Sequence, residues 1–102
     1  MLGGLALSLI LARDFSKALE VAEFAIAAAP GDTWLRSGRA AALMFLNQTD
    51  EARAEYMGHR GERAQNEKTW ETLVSAEFEQ FRTAGLTNPL MDDVEKQFVG
   101  KD

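Results

Sequence analysis

Small residues recur in this chain at a fixed spacing of 34 residues. The shift that takes Gly4 to Gly38 also takes Ala18 to Ala52, so positions that carry small side chains stay small. The pairs related by this shift are Gly4 and Gly38, Ala6 and Ala40, Leu9 and Leu43, and Ala18 and Ala52. Self-similarity at a fixed period is the signature of a repeat architecture. The first part of the chain therefore predicts two copies of one structural unit.

The repeated unit is predicted to be an antiparallel helical hairpin. Ala18, Ala22 and Ala25 fall at i, i+4 and i+7, which is one stripe of an α-helix. Small side chains let two helices approach closely. The neighbouring helix is the apolar stretch LGGLALSLILA, which only the short polar corner RD separates from this one. We expect one hairpin over residues 2–30 and a second over residues 33–61.

The ends of these helices carry recognisable stop and start signals. Pro30 cannot continue the second helix, and Gly31 permits the backbone to reverse. Asp32 is the predicted N-cap of the third helix. Gln48 or Thr49 is expected to begin the fourth helix.

These features together resemble the tetratricopeptide repeat, a 34-residue helix-turn-helix with small residues at fixed positions. The residues that carry the resemblance are Ala6, Ala18, Ala22 and Pro30 in the first unit and Ala40, Ala52 and Tyr56 in the second. It covers residues 2–62, although Ala22 stands where an aromatic residue is usual and Ala64 where proline would fall. The resemblance implies an all-α, right-handed stack of hairpins in which the first helix of each unit lines a concave groove that holds peptides.

Residues 68–99 predict a further pair of amphipathic helices. The expected buried residues are Trp70, Leu73, Val74, Phe78 and Phe81 in one helix and Leu90, Met91, Val94 and Phe98 in the other. Gly85 is predicted to end the first of these helices, with Leu86 making the hydrophobic contact that follows. Asn88 is predicted to cap the second.

The final helix pair departs from the period of the first two hairpins. The same shift takes Ala52 to Leu86, which lies in a predicted turn, so the pair is not a third repeat in register. Residues 61–67 before it are interpreted as a polar connector or a frayed helix end. Terminal units of repeat arrays are often atypical, so we interpret the pair as a C-terminal cap, similar to the tails that close arrays in larger bacterial proteins. The chain as a whole, residues 1–102, is expected to form one domain of about six helices.

Composition and charge narrow the classes of function. The sequence has no cysteine and so carries no mark of an oxidising compartment, which makes the cytoplasm the expected location. A net charge of −5 and a pI near 4.8 repel a phosphate backbone, which argues against nucleic acid as a partner. The apolar opening MLGGLALSLILA is too short to span a bilayer and follows no basic residue. We expect it to form a buried helix rather than a targeting segment or a membrane contact.

No group of residues in the sequence predicts catalysis, a cofactor or a metal site. His59 is the only histidine, which rules out a histidine metal cluster, and we expect it to be partly buried and hydrogen-bonded. No Gly-rich phosphate loop with its following lysine occurs. The adjacent acids Asp92 and Asp93 are explained by a helix N-terminus. The expected function is therefore not enzymatic.

The resemblance implies a partner-binding surface on the first helix of the second unit. Its residues are Trp34, Ser37, Ala41, Met44 and Phe45. The matching positions of the first unit are also apolar, so the groove would suit an amphipathic helix or an extended segment of another protein. Alternatively, the C-terminal helices cover Met44 and Phe45, since methionine and aromatic stripes on helices belong more often to a core.

The first helix is apolar on nearly every face, and such a helix requires burial on every face. We expect either self-association into a homo-oligomer or cover from a preceding repeat of a longer protein. The residues concerned are Leu2, Leu5, Leu7, Ile10 and Leu11. Two functions remain open at this point. One is protein binding or scaffolding through an apolar groove, and the other is a purely structural role at the end of a repeat array.

Overall fold

The computed structural model describes residues 2–65 and 68–99. In these residues six helices follow one another along the chain, and a two-stranded hairpin separates the fourth helix from the fifth. The elements are α1 Leu2–Leu11, α2 Phe15–Ala28, α3 Leu35–Phe45, α4 Thr49–Gly58, β1 Arg63–Gln65, β2 Lys68–Thr69, α5 Trp70–Thr83 and α6 Pro89–Val99. The helices α1 to α4 pack in sequence, α1 on α2, α2 on α3 and α3 on α4, and α1 also contacts α3 while α4 contacts α6. The predicted all-α repeat fold is confirmed.

The corners of the first two hairpins repeat the same backbone geometry. Arg13 and Asn47, which the shift from Gly4 to Gly38 also relates, are the non-glycine residues with positive φ in the described chain, at 68° and 69°. The corner hydrogen bonds also correspond, from Arg13 N to Ile10 O and Asp14 N to Leu9 O in one and from Asn47 N to Met44 O and Gln48 N to Leu43 O in the other. These paired bonds satisfy the last carbonyls of each helix. The period read from small side chains is thus present in the backbone as well.

Close helix approach at the small residues is observed where it was expected. Ala18, Ala22 and Ala25 are exposed by 0%, 2% and 2%. A Cβ atom added at Gly38 would lie 3.4 Å from the Cβ of Ala6 and 4.0 Å from that of Ala22. Three helices, α1, α2 and α3, therefore meet at Gly38, where a single added methyl group would already be in van der Waals contact with the other two helices.

The final helix pair is a third hairpin with the same kind of corner. Gly85 has φ of 83°, and Leu86 N donates to Phe81 O at 2.8 Å, as the predicted glycine-ended helix requires. One further shift of the same length takes Asn47 to Phe81, whereas the corner falls later, at Gly85. The difference arises mainly because α5 has 14 residues and α3 has 11, so α5 is almost one turn longer.

The final pair covers the side of α3 that would otherwise face solvent. Phe81 contacts Phe45 edge to face, with ring centroids 5.5 Å apart. Asn88 accepts from Leu90 N at 2.9 Å, as the predicted cap, and its side-chain amide donates to Met44 O at 3.4 Å. The predicted stripes of α5 and α6 are buried, except for Phe98, which is half-buried.

The connector between α4 and α5 differs from expectation. Residues 63–65 and 68–69 pair as antiparallel strands instead of forming a loose polar connector or a frayed helix end. Residues 66 and 67 lie outside the described chain. Gly61, with φ of 83°, turns the backbone, and its N–H donates to both carboxylate oxygens of Glu71 at 3.0 and 3.2 Å. The sequence did not predict this hairpin because main-chain hydrogen bonds and the Glu71 side chain of α5 hold it. Neither leaves an apolar pattern in the sequence.

The predicted cap of α3 is also wrong. Asp32 accepts Leu35 N through its main-chain carbonyl at 3.1 Å, and Arg36 N donates to Thr33 O at 2.9 Å. These bonds form a tight turn before the helix, so α3 begins at Leu35 and the Asp32 side chain is not needed as a cap. At the start of α4, Gln48 occupies the N-cap position without a side-chain hydrogen bond.

No helix among residues 2–65 and 68–99 has the length and apolar character needed to cross a membrane.

Replacement of Ala18 by leucine tests the close approach directly. Ala18 is fully buried, so Ala18→Leu is expected to overpack the α1–α2 contact and lower the free energy of unfolding by about 1–3 kcal/mol. Ala27→Leu adds the same atoms to an exposed position of the same helix and is expected to change it by less than about 0.5 kcal/mol. Chemical denaturation of both variants measures the difference, and equal effects would show that Ala18 does not set the helix spacing.

Candidate functional site

A cleft of about 280 Å³ opens between α1 and α5, with the start of α3 as its floor. The residues around it that matter for its chemistry are Gly4 and Leu7 from α1, Trp34 and Ser37 at the start of α3, Lys68 from β2, and Leu73, Ala76, Glu77 and Gln80 from α5. Most of its wall is apolar. Its depth follows from the fold, because α1 lies close to α3 through small residues whereas α5 stands away from them.

A second, more open surface continues from the cleft toward the far end of α1. We call it the shelf, and it is formed by Leu11 of α1 and by Ala76, Glu79, Gln80, Thr83 and Ala84 along α5. Ala76 and Gln80 line both surfaces, so the cleft and the shelf form one continuous path between the two helices. Leu11 is 37% exposed there.

Glu77 is the ionisable residue on the inner side of this path. It is half-buried, and its Oε2 lies 2.9 Å from the hydroxyl of Ser37. Burial raises the pKa of Glu77 to about 7, against the lowering effect of the Ser37 hydrogen bond. Among the described residues, Ser37 is its hydrogen-bond partner and no cation is paired with it.

The Ser37 hydroxyl cannot satisfy all of its contacts when Glu77 is ionised. Its oxygen lies 2.9 Å from Trp34 O and 2.9 Å from Glu77 Oε2, and a hydroxyl has one proton to donate. If Glu77 is protonated, it donates to Ser37, which then donates to Trp34 O. The neutral carboxyl group therefore fits the free cleft better than the carboxylate does.

Tyr56 of α4 lies near enough to Glu77 for the charge of Glu77 to act on its hydroxyl. Its hydroxyl is buried and has no hydrogen-bond partner among the described residues. Burial, and next the charge of Glu77, raise the pKa of Tyr56 well above its usual value. Tyr56 and Glu77 are therefore both favoured in their neutral forms.

The opposite side of α3 holds the cations of that helix. Arg39 pairs with Glu55 at 2.9 Å and with Glu23 at 3.4 Å, and Arg36 approaches Glu55 at 3.6 Å. His59 Nε2 lies 3.0 Å from Glu55, so the prediction of a partly buried, hydrogen-bonded histidine is confirmed. These pairs join α2, α3 and α4 and leave both arginines turned away from the cleft.

The structure divides the predicted partner-binding residues. Trp34 and Ser37 line the cleft. Ala41 and Met44 are fully buried, so they are core residues, because α5 and α6 cover them. Phe45 is half-buried and stacks on Phe15 with centroids 5.0 Å apart, in addition to its contact with α5. Of the two expectations for Met44 and Phe45, the structure agrees with the one in which the C-terminal helices cover them.

The predicted self-association residues are divided as well. Leu5 is 46% exposed and Leu11 lies on the shelf. Leu7 is half-buried in the cleft wall. Ile10 is fully buried in this chain's own core and has no surface for a second copy, which corrects its inclusion. The side chain of Leu2 lies outside the described residues.

Sequence reasoning missed Glu77, although the sequence holds a signal for it. The apolar stripe of α5 runs through Trp70, Leu73, Val74, Phe78 and Phe81, and position 77 falls on the same face at helical spacing. An acid within such a stripe is a reason to expect a functional or a compensated group. Within the described residues, no group of three or more histidines and acids is placed to hold a metal ion.

The stability of the protein should depend on the ionisation of Glu77. Its pKa is raised from 4.5 to about 7, so the folded state binds this proton more tightly than the unfolded state. That contribution is fully present below the unfolded pKa and is lost as the pH rises through about 7. Between pH 5 and pH 8, wild type is expected to lose about 1–3 kcal/mol more unfolding free energy than Glu77→Gln.

Urea denaturation at the two pH values measures this difference. Glu79→Gln is the matched control, because Glu79 lies on the same helix with its side chain 77% exposed. It is expected to keep the wild-type pH dependence. A Glu77→Gln variant with the same pH dependence as wild type would show that Glu77 has an ordinary pKa.

Comparison with known proteins agrees with this architecture. A tetratricopeptide repeat family profile matches residues 9–76, from the end of α1 to the middle of α5. Searches of curated proteins and of solved structures find no match. The matched segment is two-thirds of the chain and contains both of the corresponding corners, at Arg13 and Asn47. The chain therefore belongs to the tetratricopeptide repeat family, whose repeats generally mediate interactions between proteins.

Proposed function

We propose that this chain binds a segment of another protein in the cleft and along the shelf, without catalysing a reaction. The observation that carries the proposal is the continuous open path between α1 and α5. Those two helices, with α3 behind them, are the first helices of the three hairpins. The family is generally a non-catalytic interaction module, which is consistent with this use of the surface.

The size of the cleft favours side chains as its occupants. Its volume of about 280 Å³ lies just below the range of about 300–1,000 Å³ that is usual for small-molecule pockets. A bound segment would place one or two side chains inside it and lie along the shelf with the rest. Trp34 and Leu73 provide an aromatic and an aliphatic wall of the type that binding anchors contact.

Gly4 provides a way to close the cleft without disturbing the core. A Cβ atom at this position meets no atom within 4 Å, although Gly4 lines the cleft. Gly4→Leu should therefore fold and fill the opening, and the loss of a helical glycine favours stability. We expect it to weaken binding of a cleft-bound peptide by about tenfold or more, as removal of an anchor site does.

The measurement uses peptides selected on the wild-type protein from a phage-displayed random library, with affinities determined by fluorescence anisotropy. Ala27→Leu is the control, because it adds a leucine to an exposed position of α2 outside the cleft. Peptides that bind Gly4→Leu as tightly as wild type would contradict the proposed site. A module with only a structural, array-ending role would select no cleft-dependent peptide at all.

A second candidate function is self-association through α1, which the exposure of Leu5 supports. In that case sedimentation equilibrium should give about twice the mass of one chain, and Leu5→Asp should restore the mass of a single chain, because it places a charge in an apolar interface. A concentration-independent mass of 11.3 kDa for the wild type would count against this function.

A further inference from the structure

Glu77 is the group in the proposed binding path that has the fewest hydrogen bonds and opposite charges to stabilise its ionised form. It lies on the inner face of α5, where its neighbours in helical spacing are apolar, and it receives one hydrogen bond within the described chain, from Ser37. A buried carboxylate is normally paired with a cation or accepts several hydrogen bonds. Without them, ionisation of a desolvated carboxyl group is unfavourable, and a ligand that supplies a cation can remove this unfavourable free energy.

The charged groups around Glu77 in the described part of the chain leave it without a partner cation. From α3 it meets Ser37, while Arg36 and Arg39 are held by Glu55 on the other side of the helix. From α4 the nearby titratable group is Tyr56, whose hydroxyl is neutral at physiological pH. The residues of α1 that line the cleft carry no charge.

Lys68 of β2 is the cation that lines the same cleft, but it does not pair with Glu77. It is exposed, and no ion pair joins it to Glu77. Its charge is therefore solvated at the edge, whereas the carboxyl group lies further inside. An exposed ammonium compensates a desolvated acid weakly, because water screens the interaction.

We infer that the bound segment places a lysine or arginine side chain on Glu77, with apolar side chains on either side of it against the cleft wall and the shelf. This inference rests on the function proposed above and names the chemistry of its partner. The aliphatic stem of either residue can lie along Leu7 and Leu73 while its charged end reaches the carboxylate. A basic, amphipathic segment also complements the net charge of −5 of the whole chain.

Binding of that cation replaces the proton of Glu77. In the free protein at neutral pH the carboxyl group is partly protonated, since its pKa is about 7. A cation stabilises the ionised form, so complex formation releases the proton to solvent. The complex is therefore expected to be about tenfold tighter at pH 8 than at pH 6, because the ionised fraction of the free protein rises by about that factor.

The test selects peptides from the same phage-displayed random library on three proteins, namely wild type, Glu77→Gln and Glu20→Gln. Glu20 is the control here, because it is an acid of α2 with its side chain 75% exposed and lines neither the cleft nor the shelf. Wild type and Glu20→Gln are expected to select peptides in which a lysine or arginine is flanked by apolar residues. Glu77→Gln should retain the apolar preference and lose the basic one. For a selected peptide, Glu77→Gln and a lysine-to-glutamine change in the peptide should each weaken binding at pH 8 by about tenfold, and together they should cost little more than either alone.

The outcomes separate this inference from the function on which it rests. Peptides that depend on Gly4 but show no basic preference, or whose affinity is unchanged by Glu77→Gln and by pH, would overturn the cationic partner and leave the binding site in place. Peptides that ignore Gly4→Leu, or a library that yields no binders, would overturn both. The unfolding measurements on Glu77→Gln described above establish that the variant is folded, since it is expected to be at least as stable as wild type at pH 8.

Discussion

The close approach of α1, α2 and α3 is the contact on which the rest of the architecture depends. It exists because Gly38, Ala6 and Ala22 carry almost no side chain where the three helices meet. Helices that approach this closely bury little apolar surface per residue and rely on dense packing. The larger apolar residues are consequently placed elsewhere. Phe78 of α5 packs on Tyr56 of α4, and Phe81 packs on Phe45 of α3.

This uneven spacing also produces the candidate site. Where small residues hold α1 against α3, no room remains for a ligand, but α5 is kept at a distance by the rings of Phe45 and Phe81. The space left in front of α3 becomes the cleft and the shelf. Ala41 and Met44 are buried in the core, so the proposed binding path lies to one side of the surface that the resemblance to the repeat family implied.

The parts of the fold that could be predicted are those set by local pattern. The spacing of small residues predicted both hairpins and their period, and Gly85 and Asn88 marked the third corner because each has a backbone role that its residue type reveals. Contacts between distant segments were not accessible in the same way. The strand pair depends on main-chain bonds, the start of α3 depends on a tight turn, and the acid at position 77 acquires its character from α3 and α4. None of these follows from the sequence around the residue alone.

The single proton of the Ser37 hydroxyl links the occupancy of the cleft to the joint between the first two repeats. Trp34, whose carbonyl competes for that proton, belongs to the turn that connects α2 to α3. When Glu77 is ionised, the Ser37 hydroxyl donates its hydrogen bond to the carboxylate, and the carbonyl of Trp34 loses that bond. When Glu77 is neutral, the hydroxyl donates to Trp34 again. The charge on an acid of the third hairpin thus bears on a hydrogen bond at the joint between the first two.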